Sequence, residues 1–112
     1  ATVLTLFPEM FPGPLAYSLA GRGLEQKIWQ LKTLNIRDFA TDKHKMVDDT
    51  CFGGGPGMVL KPDVIHDALK AGLRNYPDQV PAIIYLTPRG EPLTQSKVRS
   101  IITDQPAGIL FL

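Results

Sequence analysis

The sequence predicts an α/β domain in which a mainly parallel β-sheet is covered by helices on both faces. Two observations carry this prediction. Strand-like and helix-like segments alternate along the chain, as they do where crossover units build a parallel sheet. The last two strand-like segments, residues 82–87 and 108–112, run apolar with almost no polar alternation, the pattern of strands buried on both sides. The 112 residues, 44% of them apolar, supply one domain with an ordinary core.

The elements follow in order. Residues 2–7 read as a first strand, closed where Phe7 meets Pro8. Pro12-Gly13-Pro14 is a turn, and Pro14 suits the first position of a short helix from Leu15 to Ala20, which Gly21 and Gly23 are expected to end. Residues 28–36, apolar at Ile28, Trp29, Leu31, Leu34 and Ile36, read as a second strand. Arg37 to Gly57 has no periodicity and reads as one long loop, charged up to Asp49 and glycine-rich after it. Pro62 opens a helix with Asp63 in its first turn, and Val64, Ile65, Ala68, Leu69 and Leu73 share one face. Residues 82–87 form a strand stopped by Pro88. Thr94 caps the next helix, whose apolar side is Val98, Ile101 and Ile102, with Leu93 placed to staple onto Val98. Residues 108–112 are the last strand.

Charge and cysteine content narrow the functions. Twelve basic and eleven acidic residues leave +1, which excludes a polybasic, histone-like mode of binding but not a local RNA contact. The single cysteine, Cys51, excludes an intramolecular disulfide and multi-cysteine zinc patterns. The opening apolar stretch is short, has no basic leader and meets Pro8 at once, so no signal peptide or membrane span is read, and a soluble, cytoplasmic protein is expected. The apolar end, Gly108 to Leu112, is unusual for a terminus and suggests part of a longer chain.

Three segments are candidates for chemistry. Gly53-Gly54-Gly55-Pro56-Gly57 lets a ligand approach the main chain, or else is a hinge. It is neither a P-loop nor a dinucleotide fingerprint, which counts against a dehydrogenase-like enzyme. Asp42 to Asp49 reads as a solvated loop, or as an RNA contact with Lys43 and Lys45 on phosphates and an aspartate accepting from the edge of an unpaired guanine. Tyr85 to Gly90 follows a parallel strand, at the rim where open α/β sheets bind ligands, or is an ordinary proline turn. His44 and His66 form no metal pair, Cys51 has no activating neighbour, and Trp29 and the phenylalanines read as core.

In combination the motifs become specific. Leu6 to Phe11 (LFPEMF), Arg37-Asp38-Phe39, Val47-Asp48-Asp49, Gly53 to Met58 (GGGPGM) and Ile84 to Gly90 (IYLTPRG) occur in the order and spacing that resemble the bacterial tRNA (guanine-N1)-methyltransferases, the TrmD family of the knotted SPOUT class. The resemblance covers essentially the whole chain. It implies that residues 1–112 are the N-terminal part of a SPOUT (trefoil-knot) methyltransferase domain, with the rest of the knot and a C-terminal tRNA-binding domain outside it. It further implies transfer of a methyl group from S-adenosylmethionine to N1 of the guanine 3′ of the anticodon, by a homodimer whose sites use both subunits. By the same resemblance Tyr85, Leu86, Thr87, Pro88 and Gly90 match the first cofactor-binding loop, with Thr87 in place of an expected serine. Asp49 matches the aspartate that reads the neighbouring guanine, and Gly53, Gly54, Gly55 and Gly57 match the segment near the target base. The general base, an assisting arginine and a magnesium ion belong beyond Leu112, so no catalytic residue is expected in this chain, and the fragment alone should be inactive. The alternative is a non-catalytic RNA-binding or dimerisation module of α/β type.

Overall fold

A computed structural model describes residues 1–104 and 107–112. Six strands and three helices occur among them: β1 (Thr2–Thr5), α1 (Ser18–Glu25), β2 (Lys32–Asn35), β3 (Asp48–Thr50), β4 (Met58–Leu60), α2 (Pro62–Leu73), β5 (Ala82–Ile84), α3 (Gln95–Asp104) and β6 (Ile109–Phe111). Four strands lie side by side in the order β2-β1-β6-β5, all parallel. The remaining two, β3 and β4, pair as a separate antiparallel hairpin.

The connections place the helices. Going from β1 to β2, and from β5 to β6, the chain steps one way along the sheet, whereas from β2 to β5 it steps the other way. Right-handed crossovers therefore put α1 and α3 on one face and α2 on the opposite one. The α2 face holds the core: Leu4 on β1, Leu110 on β6, and Val64 and Ala68 on α2 are buried together with Ile36, Ala40 and Val47. Leu110 is fully buried, which is worth about 1.5–3 kcal/mol relative to exposure. Gly72 lets α2 approach this closely, since a Cβ there would lie 2.8 Å from Leu110 Cδ1 and 3.4 Å from Leu4 Cδ2.

The parallel sheet, α2 and the Thr94-capped helix match the sequence reading, with Thr94 Oγ1 accepting from the Lys97 N–H at 3.2 Å. Other expectations are corrected. The helix expected over 15–20 is instead a 3-10 turn, Gly13–Ala16, followed by α1, and Gly21 and Gly23 lie inside α1, both buried. They serve close approach, not termination: a Cβ on Gly21 would collide with the Ala16 carbonyl, and one on Gly23 would lie 2.9 Å from the Trp29 indole.

The strand expected over 28–36 shrinks to Lys32–Asn35, because Asn35 Oδ1 accepts from the Arg37 N–H at 3.0 Å and turns the chain into a 3-10 turn, Ile36–Phe39. Ile28 is exposed. The loop expected over 37–57 contains that turn and β3, and Ala40 and Val47 within it are core residues. Strand β5 ends at Ile84, although Leu86 N–H still donates to the Leu112 carbonyl at 3.1 Å. On α3, Ile102 stands exposed rather than joining the apolar side. Among the described residues no helix is long and apolar enough to cross a membrane.

Candidate functional site

The β3–β4 hairpin carries the first set of candidates. Asp48, Asp49 and Thr50 pair with Leu60, Val59 and Met58. Aspartates are poor strand formers, and the pairing is supported where Lys61 N–H donates to the Val47 carbonyl at 2.8 Å, beside the buried Val47 side chain. Asp49 is exposed. Its Oδ1 accepts from the Thr50 N–H at 2.8 Å, and among the described residues Oδ2 accepts nothing, so a carboxylate edge faces solvent.

The hairpin loop has an unusual backbone. Gly53, Gly54, Gly55 and Gly57 have φ of 86, 79, 123 and 99°, and a Cβ on any of them would meet nothing within 4 Å. Their conformation requires glycine, while the space around them does not. A main chain bared in this way presents its polar groups to whatever lies alongside.

Lys43 and Lys45 lie before the hairpin, both exposed, with Lys45 at φ 49°. Asp42 organises this stretch: its carboxylate accepts from the Met46 N–H at 3.0 Å and the His44 N–H at 3.1 Å. These donors, Met46 foremost, with Lys61 nearby, hold the Asp42 carboxyl below its ordinary pKa. The two lysines are thus shown on a locally tied turn, and neither lines the grooves described next.

The second set follows β5 at the carboxyl rim of the parallel sheet. Gly90 N–H donates to the Thr87 carbonyl at 3.0 Å and Arg89 N–H to Thr87 Oγ1 at 3.4 Å, so Thr87 to Gly90 is a self-closed turn. Tyr85, Leu86, Thr87 and Gly90 line one groove of about 410 Å³ with Ile84 and Phe111; Pro88 does not line it. A mainly apolar groove of this size, with the Tyr85 and Thr87 hydroxyls and the Glu91–Lys97 ion pair in its lining, suits a cofactor with an aromatic ring and a charged tail, so the residues present fit S-adenosylmethionine.

Three grooves share lining residues here. Asp49, Thr50, Phe52 and Gly53 line one of about 760 Å³, whose Val59 and Leu60 also line a second, of about 590 Å³. Tyr85 belongs to that second groove and to the groove of Thr87 and Gly90. The hairpin and the β5 loop, 35 residues apart between Thr50 and Tyr85 in sequence, thereby line neighbouring grooves, with Val59, Leu60 and Tyr85 as the shared residues.

His44 and His66 are both exposed. Cys51 lies half-buried, its thiol near the Gly57 carbonyl at 3.7 Å. Two phenylalanines are a correction, for Phe7 is half-exposed and Phe52 fully exposed, while Phe39 packs against the core as read. The only sequence signal for Phe52 was its position beside the glycines.

Comparison with known proteins bears on these segments. The tRNA (guanine-N(1)-)-methyltransferase of Zymomonas mobilis subsp. mobilis is 56% identical over all 112 residues, which span 43% of that protein. The protein of the same name from Novosphingobium aromaticivorans is 54% identical over the whole chain and 44% of its own length. The chain superposes with a TM-score of 0.80 on the crystal structure of tRNA (m1G37) methyltransferase from Aquifex aeolicus, at 29% identity, covering 98% of this chain and 48% of that one. The chain thus spans less than half the length of the relatives it matches. The family model of tRNA (Guanine-1)-methyltransferase TrmD matches residues 1–110, and the chain belongs to that family.

Proposed function

We propose that this chain is the N-terminal part of an S-adenosylmethionine-dependent tRNA (guanine-N1)-methyltransferase acting on the guanine 3′ of the anticodon. The observation that carries the reading is that the two candidate segments line neighbouring grooves: Asp49 and Gly53 line one, Thr87 and Gly90 another, and a third between them shares Val59 and Leu60 with the first and Tyr85 with the second. A target base and a methyl donor must meet, and grooves that share lining residues put the two candidate segments near one another.

The roles divide as follows. The loop from Tyr85 to Gly90 holds the methyl donor, with Tyr85 and Leu86 as apolar walls and Thr87 as a hydroxyl. Asp49 accepts from the Watson–Crick edge of the guanine next to the target. Gly53, Gly54, Gly55 and Gly57 let the target nucleotide lie close to the main chain, and Lys43 and Lys45 contact phosphates. When bound, S-adenosylmethionine would supply an electrophilic methyl group for N1, and the Tyr85–Gly90 loop would hold it in place. Guanine N1 carries a proton and is a poor nucleophile until a base removes it. That base, and a cation stabilising charge on O6, belong to the part of the protein beyond Leu112, with magnesium as an assisting ion; Asp48 and Asp49 are not assigned the role.

The remaining expectations are part of the same proposal: a trefoil knot completed beyond Leu112, a cytoplasmic homodimer with sites shared between subunits, and an inactive 112-residue fragment. The test is methyl transfer from labelled S-adenosylmethionine to tRNA by the full-length protein, with the product mapped to N1 of that guanine. Label on another atom, or no transfer with cofactor and tRNA both bound, overturns the reading and favours a non-catalytic RNA-binding module.

A further inference from the structure

Phe52 is a large aromatic side chain standing fully exposed beside the Gly53–Gly57 loop. An exposed aromatic ring beside four glycines gains nothing from burial within this chain, which is where stacking partners from outside are found. It lines the same groove as Asp49, whose Oδ2 is free of hydrogen bonds among the described residues, and as Lys61. Aromatic face, carboxylate edge and cation are the three groups needed for the π-face, the hydrogen-bonding edge and the phosphate of one unpaired nucleotide.

Resting on the RNA-modifying reading above, we propose that Phe52 is the stacking platform for an unpaired nucleobase of the RNA, the base whose edge Asp49 reads. The backbone suits the task. Cys51 to Gly54 closes as a turn, with Gly54 N–H donating to the Cys51 carbonyl at 3.0 Å. This turn presents Phe52 at its first corner, and the glycines that follow have no side chains to crowd a base laid on the ring. Stacking tolerates any base, so Phe52 supplies affinity while Asp49 supplies the choice of base. Phe52 is a positioning residue and takes no part in methyl transfer.

The experiment uses the full-length protein and an anticodon stem-loop RNA in which the guanine beside the target is replaced by 6-methylisoxanthopterin, a fluorescent guanine analogue that keeps the guanine donor edge. Phe52→Leu is expected to weaken RNA binding on the order of ten-fold or more and to abolish the change in the analogue's emission on binding. Phe52→Tyr should restore both to near wild type, and S-adenosylmethionine affinity should not move in either variant. RNA binding by Phe52→Leu equal to wild type, with the emission change intact, overturns the inference and leaves the methyltransferase reading standing. A shift in oligomeric state or melting temperature in place of the RNA effect also overturns it, because Phe52 then packs against protein. Failure of the wild-type protein itself to bind the RNA removes the functional reading and this inference with it.

Discussion

Tyr76 lies directly over Gly108: a Cβ at Gly108 would stand 2.6 Å from the Tyr76 ring at Cε1. The same tyrosine hydroxyl donates to the Ile109 carbonyl at 3.0 Å, and its one proton being used there, the Thr2 hydroxyl 3.1 Å away donates to it. One side chain after α2 thus ties the start of β1 to the start of β6.

Gly108→Ala should therefore be strongly destabilising, through both the ring contact and the φ of 143°, by about 2 kcal/mol or more. Tyr76→Phe should cost about 1–2 kcal/mol, since the part-buried Thr2 hydroxyl and Ile109 carbonyl each lose this hydrogen bond. Urea denaturation checks both; midpoints within error of wild type at unchanged slope would contradict the tie.

Gly55→Ala separates conformation from packing. The site has open space but a φ of 123°, so stability should fall by only about 1 kcal/mol while tRNA methylation by the full-length protein falls much further. Equal small losses in both would mean that the loop does not approach the substrate.

Gly90→Val tests the β5 loop. A Cβ there would lie 3.2 Å from the Thr87 carbonyl, tighter than ordinary contact, and the two further methyl groups need space at the turn that shapes the groove. S-adenosylmethionine affinity measured by calorimetry should drop several-fold; unchanged affinity would remove this loop from the cofactor site.

Asp49→Ala should lower discrimination for the guanine beside the target while the methyl-transfer step on the normal tRNA suffers less. The comparison is the ratio of kcat/KM on tRNAs with and without that guanine. A ratio equal to wild type would mean that Asp49 reads no base.

The depressed pKa of Asp42 has a pH consequence. Its carboxylate form is favoured by folding, so this stabilisation is complete above the unfolded carboxyl pKa and disappears as pH falls through the lower folded value. NMR titration should show Asp42 losing its proton at lower pH than a free aspartate, with the Met46 and His44 amide signals moving together with it. Amides that ignore the titration would show that the turn does not depend on the carboxylate.

Much of the fold was legible because its signals are local. Pro62 and Asp63, followed by apolar residues on one face, predict α2 at its observed start, and Thr94 predicts the α3 cap. The hairpin was not legible, for Asp48-Asp49-Thr50 is a poor strand sequence and pairs only because Met58–Leu60 lies opposite and Val47 anchors it in the core. Gly21 and Gly23 were misread for a related reason. The partners that require a missing side chain, Ala16 and Trp29, are supplied by the folded chain rather than by a helix end.

The sequence by itself determined the α/β class, the parallel sheet and the family through its motifs, and it singled out the two segments proposed to bind cofactor and RNA. Periodicity, capping and motif order are properties of neighbouring residues, so they survive without coordinates. Only the tertiary structure decided that these two segments line neighbouring grooves, that the four loop glycines answer a backbone need in open space, and that Phe52 stands outside the core. Each of those depends on which distant residues come into contact, or fail to, once the strands have been laid side by side.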